Sequence, residues 1–322
     1  MWAVKAYIVI LPAGRRSPWA EQSAYTLAPD AIADLNQANG RDENKNGNRD
    51  PWRAVPLDME WWLGYLAIGA FVGLFAGLLG IGGGAVMVPL LVMMFEAQGL
   101  PRELWVHMAV GTAMATILFT SVASVRAHAR RQAVLWQVAR TMTPGILAGG
   151  VAGVALAGMF STFALAVAFT LIVYAAAINI LLDRAAKSSR ALPGPAGMFG
   201  AGFVISGVCA LVAMGGAFMT VPFLLWCNVS IRQAIGSAAF VGFPIALVGA
   251  AGYLFIGWKV SDLPPWSLGY VYLPALLGIS VASVLMAPVG AAASHRLPTR
   301  LLRRIFGVLL LLLATKMLAS FW

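Results

Sequence analysis

Charge is what this sequence has least of. Of its 322 residues, only 11% are Asp, Glu, Lys or Arg, while 60% are hydrophobic. A soluble domain carries about 25% charged residues. The shortage excludes a soluble enzyme with a large core and leaves a polytopic membrane protein. Acids are scarcest beyond residue 60, where Glu96, Glu103, Asp183 and Asp262 stand against 15 bases. Basic loops in an apolar chain set orientation in a bilayer. No basic stripe interleaved with aromatics occurs, so no nucleic-acid partner is expected. Cysteine is nearly missing too. Cys209 and Cys227 both lie in apolar stretches, which excludes a disulfide framework and reads as two buried thiols. Ionisable groups are almost absent from the apolar runs, which argues against a carboxylate-driven pump. No nucleophile–base pair, metal-spaced His/Cys set or phosphate loop stands out, so the expectation is a non-enzyme with no cofactor and no metal.

What is present is a series of uncharged runs. A helix needs ~20 apolar residues to cross the hydrocarbon core. Runs between charges predict helical segments at 61–80, 84–98, 106–126, 140–159, 162–182, 197–213, 217–229, 232–256, 267–291 and 302–321. The second and seventh are short. The fold class read from this is an all-α polytopic membrane protein with about 8–10 transmembrane or half-membrane helices. The basic stretches "RAHARRQ" (126–132, with Arg140), "DRAAKSSR" (183–190) and "HRLPTRLLRR" (295–304) belong on the cytoplasmic side. The turn at 158–162 and the loop at 257–266 then lie outside. These assignments agree when segments one–two and six–seven are hairpins.

One stretch repeats. "GIGGGAVMVPLL" (80–91) lies over "AMGGAFMTVPFLL" (213–225), with Pro89 on Pro222 and Gly82-Gly83 on Gly215-Gly216. "AVGTA" (109–113) matches "AIGSA" (234–238), and "TPGILAG" (143–149) resembles "LPALLG" (273–278). The landmarks keep their order, so the chain divides into a first membrane repeat at 59–190 and a second at 191–322. Five segments per half is an odd number, which turns the second half upside down. Inverted repeats of this kind build transporter sites near the midplane from broken helices. Should the short second segment not cross, four crossings per half would instead make the repeats parallel.

The glycines separate into two sets. Gly73, Gly77, Gly145, Gly149 and Gly153 fall at four-residue spacing and read as close helix packing. Gly82, Gly83, Gly84, Gly215 and Gly216 sit at the junctions of short helices. A break exposes N–H groups that hydrocarbon tolerates only around a cavity, and helix N-termini attract anions. With Gly111, Thr112, Gly236 and Ser237 on the following helices, they form the candidate substrate set for a small anion. Hairpin turns and packing are the competing explanation. "GIGGG" is not a nucleotide loop, because it lacks the βαβ setting. His107 opens a span and reads as a satisfied interfacial histidine rather than a proton carrier. His128 and His295 read as solvated. Trp61, Trp62, Trp266 and Trp322 mark span ends.

The stretch 59–322 resembles the TauE/SafE family of sulfite and organosulfonate exporters. "GLLGIGGGAVMVPLL" (77–91), "HMAVGTAMATI" (107–117), "MGGAFMTVPFLL" (214–225) and "AIGSAAFVGF" (234–243) carry the likeness. The resemblance implies a secondary transporter that exports a small sulfur-containing anion such as sulfite or a sulfonate across the bacterial inner membrane by alternating access. Ala213 and Ala217 replace two of the motif's glycines in the second half, so the halves need not be equivalent. An anion channel, or a membrane enzyme or assembly factor on the same scaffold, are the alternatives. The lipid bilayer and the anion are the expected partners, and a homo-oligomer is compatible with the sequence.

Residues 1–58 fall outside the likeness and read as a polar, disordered extension. "AYIVILPAG" (6–14) is too short and poorly ended for a signal peptide. Asp42, Asn44, Asn46 and Gly47 have calcium-loop spacing, but Arg53 stands where a bidentate Glu is needed. A true start at Met59 is a third reading.

Overall fold

The computed structural model describes residues 59–79, 83–182, 191–260, 263–294 and 299–321. The polar extension, the calcium-spaced stretch, the loop 183–190, Gly82, His295 and Trp322 lie outside the described residues. Ten helices are described: α1 (Met59–Leu79), α2 (Gly84–Ala97), α3 (Trp105–Arg130), α4 (Trp136–Met159), α5 (Thr162–Leu181), α6 (Pro195–Val212), α7 (Ala217–Trp226), α8 (Ile231–Gly257), α9 (Leu273–Ser294) and α10 (Thr299–Ala319). Seven of them are long and apolar enough to cross a membrane. α10 is also long, but its uncharged stretch lies between Arg304 and Lys316. Those side chains must extend to the headgroups for it to span.

The described protein is apolar on its outside as well as within. Leu66, Phe71, Leu171, Phe255, Leu285 and Leu312 are exposed. A chain in water would bury such residues; here they form the lipid-facing surface, and the protein is a multi-pass membrane protein.

Two expectations need correction. α3 runs on to Arg130 and α4 begins at Trp136, so the basic residues around 126–140 lie largely on helix rather than loop. A helix does not stop at the hydrocarbon edge, because its backbone hydrogen bonds continue there. A two-stranded hairpin, β1 (Ser267–Leu268) and β2 (Val271–Tyr272), precedes α9, where the charge-free run had implied helix from 267. Gly269 (φ 53°) turns the chain there.

The two halves interlock. α1 packs along α9, and α4 packs along α6. Under the repeat these pairs are equivalent, each joining a first helix to the fourth helix of the other half. Both run parallel: Gly69 meets Ile279 and Gly73 meets Ser283, while Gly145 meets Phe199 and Gly149 meets Phe203. The equivalent helices α3 and α8 contact each other and run antiparallel, with Gly111 on Tyr253 and Met114 on Gly249. So do α5 and α10, with Tyr174 on Thr315 and Leu181 on Gly307. Equivalent helices that run antiparallel are what an inverted repeat requires.

The inversion does not come from five crossings per half. α2 returns along α1: Gln98 at its end donates to the Tyr65 hydroxyl (2.7 Å) near the start of α1, while Gly83 lies against Val72. The α1–α2 pair therefore enters and leaves on one face. Three net crossings remain, still an odd number.

The spaced glycines set the seams. A β-carbon on Gly149 would fall on the Phe203 carbonyl, and one on Gly73 on the backbone of Ser283. Backbone cannot swing aside as a side chain can. Gly149→Val should therefore cost about 2 kcal/mol or more, read as a lower thermal midpoint in detergent. Gly200→Val, on α6, the partner helix of the same seam, but with nothing within 4 Å, is the control and should shift it far less.

Candidate functional site

Each repeat contains a short helix that starts inside the protein. α2 has 14 residues and α7 has 10, which at 1.5 Å per residue gives about 21 Å and 15 Å. Neither spans ~30 Å of hydrocarbon. The first residues, Gly84 and Ala217, are equivalent under the repeat, as are the preceding caps, Gly83 and Gly216. α2 begins beside Ile117, near the middle of α3, and α7 begins beside Val241 and Ile245, near the middle of α8. Residues 83–89 and 212–217 are buried.

These starts have no side-chain cap, a feature they share with α3, α4 and α6. α5 and α8 have serine caps, Ser161 accepting from the Ala164 N–H and Ser230 from the Gln233 N–H. α2 and α7 have glycine at the cap and no side-chain acceptor. Val86 and Met87 both donate to the Gly83 carbonyl; Phe218 donates to Gly215 and Thr220 to Gly216. The opening N–H groups of a helix have no acceptor within it and carry about half a positive charge. A buried start without a cap is suited to a small anion.

The two breaks also touch. A β-carbon on Gly84 would fall on the Ala213 carbonyl oxygen, and its next neighbour would be Ile117 Cδ1 at 2.8 Å. Ala213 ends α6 in a left-handed conformation, φ 46° and ψ 33°, which costs a non-glycine residue roughly 1–2 kcal/mol. The matching first-half residue is Gly80. Ala213→Gly should raise stability by up to ~1 kcal/mol, seen as a higher midpoint in thermal unfolding.

The other candidates hold the halves together. Thr112 accepts a hydrogen bond from the Tyr272 N–H (3.0 Å) at the entry to α9. Ser237 accepts one from the Leu135 N–H (2.9 Å) at the entry to α4. Tyr272 and Leu135 each stand immediately before the fourth helix of a half, so one device is used twice, each time across the repeats. Beside them, Gly111 lies on the Tyr270 carbonyl and Gly236 on the Ala133 carbonyl. Thr112 and Ser237 are both fully buried. They lie about one turn along α3 and α8 from Ile117 and Val241, which touch the breaks. Thus Gly84 meets Ala213 at the junction, with Gly83 next to Gly84 and Gly215 and Gly216 two and three residues beyond Ala213 in the chain, while Gly111, Thr112, Gly236 and Ser237 lie nearby on α3 and α8.

His107 is satisfied, as the sequence implies. Its Nε2 lies 3.2 Å from the Ala157 carbonyl and its Nδ1 3.3 Å from Thr162 Oγ1, and the ring stacks on Tyr270. It ties the start of α3 to the α4–α5 turn. One residue the sequence reading passed over is Thr220. Its only signal was a single hydroxyl in an otherwise apolar helix, "AFMTVPFLLW".

Known proteins are similar to this chain. The family model described as "Sulfite exporter TauE/SafE" matches residues 65–317. A "Probable membrane transporter protein" of Haemophilus influenzae is 34% identical over 254 residues, covering 78% of this chain and 96% of that protein. A probable membrane transporter protein of Methanocaldococcus jannaschii is 24% identical over 236 residues, covering 70% and 80%. YdhB of Bacillus subtilis, a "Probable membrane transporter protein", is 24% identical over 257 residues, covering 72% and 90%. No solved structure matches. The paired glycine breaks and the span of the family match lead to one conclusion: the chain belongs to the TauE/SafE sulfite exporter family of membrane transporters.

Proposed function

We propose that the protein is a secondary transporter that exports a small anion, sulfite or a sulfonate or a related sulfur-containing organic anion, across the bacterial inner membrane. The substrate sits where the α2 and α7 N-termini converge, and the inverted halves alternate access to it. The observation that carries this reading is the contact of the buried, uncapped α2 start at Gly84 with Ala213, the end of α6, four residues before the equally buried and uncapped α7 start at Ala217. Their N–H groups and dipoles favour negative charge without a buried lysine or arginine. Thr112 and Ser237 can add to this, because a hydroxyl that accepts from the backbone still has a proton to donate. The family description supports the substrate class.

The test is flux in proteoliposomes containing the purified protein. A panel of sulfite, organosulfonates and carboxylates is offered with and without a pH gradient. Saturable uptake of the sulfur anions above the carboxylates is expected. Equal passage of all anions, without saturation, would indicate a channel and overturn the reading.

A further inference from the structure

We infer that Thr220 is a substrate-coordinating residue, whose hydroxyl donates to an oxygen of the anion at the α7 break and makes the site lopsided toward the second repeat. This rests on the anion reading above.

Thr220 is fully buried, and its Oγ1 has no hydrogen-bond partner among the described residues. Burying a lone hydroxyl is unfavourable, and a helical threonine has an easy remedy, because its Oγ1 can reach back to the carbonyl four residues earlier. Five other helical threonines use it. Thr116, Thr141, Thr143, Thr170 and Thr315 donate to Thr112, Gln137, Ala139, Ala166 and Leu311 in turn. Thr220 does not, although the Gly216 carbonyl lies at that position and accepts the Thr220 N–H at 3.0 Å.

Its place brings the side chain to the α7 break. Thr220 lies in the first turn of α7, three residues after Ala217. The Cα–Cβ bonds of a helix tilt toward its N-terminus, so this side chain leans back over the uncapped Gly215–Gly216 end. A free O–H and free N–H groups thus share one buried helix start. A tetrahedral or pyramidal oxyanion matches that set, since its separate oxygens can accept from the hydroxyl and from the first-turn N–H groups together. The equivalent residue in the first repeat is Met87, which has no such donor. Ser206 Oγ is also unpartnered and buried, but it faces Gly150 across the α4–α6 seam, about two turns from the break.

The test compares Thr220→Val, which keeps the shape and loses the hydroxyl, with Thr220→Ser, which keeps the hydroxyl. Sulfite and methanesulfonate uptake into proteoliposomes and thermal midpoints are measured on the full chain. For Thr220→Val, KM for both anions should rise about tenfold, while the midpoint stays level or rises because an orphaned polar group is gone. Thr220→Ser should keep KM within about threefold of the original. An unchanged KM in Thr220→Val overturns the inference, and so does a fall in midpoint without a change in KM, the mark of a structural hydroxyl. If the unaltered protein transports the anions while Thr220→Val matches it, only this inference is lost. If the unaltered protein transports neither anion, the anion reading falls with it.

Discussion

Leucine in place of Gly84 should leave the protein in the membrane and stop transport. A β-carbon there would land on the Ala213 carbonyl oxygen, and Ile117 Cδ1 lies 2.8 Å away. The carbonyl belongs to backbone at the end of α6 and cannot rotate aside. The two breaks must separate, and the shared anion site goes with them. The spanning helices and their lipid-facing surfaces are untouched, so insertion should persist. The same reasoning grades milder changes. At Gly216 the obstructing atoms are Ile245 Cδ1 at 2.7 Å and Val241 Cγ1 at 3.0 Å. Side-chain ends can yield, so Gly216→Ala should keep part of its flux. Gly84→Ala should lose at least about tenfold, since forcing a methyl group into backbone costs roughly 1–3 kcal/mol. Proteoliposome flux normalised to inserted protein measures this. Ordinary flux in Gly84→Leu would remove the junction from consideration as the substrate site.

The second large effect is expected at the cross-repeat hydroxyls. Ser237→Ala strips the Leu135 N–H of its acceptor, and Thr112→Val does the same to Tyr272. A buried donor left unpaired costs about 1–3 kcal/mol. Each variant should therefore lower the thermal midpoint, while Thr112→Ser should restore it. Gly236→Val should be worse still, because its β-carbon would fall on the Ala133 carbonyl in the same turn. Hydrogen exchange localises the effect: Ser237→Ala should speed exchange at the start of α4, and Thr112→Val at the start of α9. A stability loss with unchanged transport KM would assign these hydroxyls to structure alone; a raised KM as well would give them the second role proposed above.

The helices were legible because hydrocarbon excludes charge. Every charge-free run of sufficient length became a helix, and the short ones began at the expected residues, Gly84 and Ala217. The internal echo was legible because glycine pairs followed by proline are rare in apolar runs. The orientation of the halves was legible too, but by a different count. A hairpin that returns to its own face leaves three crossings, and no periodicity distinguishes it from a helix that crosses. The β1–β2 hairpin escaped notice because two-residue strands have no period to detect.

The site was only half legible. The amino-acid sequence by itself determined that the chain lies in a membrane, that it is built twice, and that each half breaks a helix at glycine. Those are local properties of side-chain transfer energy and backbone freedom. Only the tertiary structure decided that the breaks meet, since Gly84 and Ala213 belong to different repeats and neither residue type signals the other. It also decided that Thr112 reaches Tyr272 and Ser237 reaches Leu135, pairings of side chain to backbone that leave no mark on the partner's identity. Thr220 stands out for the same reason: whether a hydroxyl has a partner depends on every helix packed around it, and the sequence records only that the hydroxyl is there.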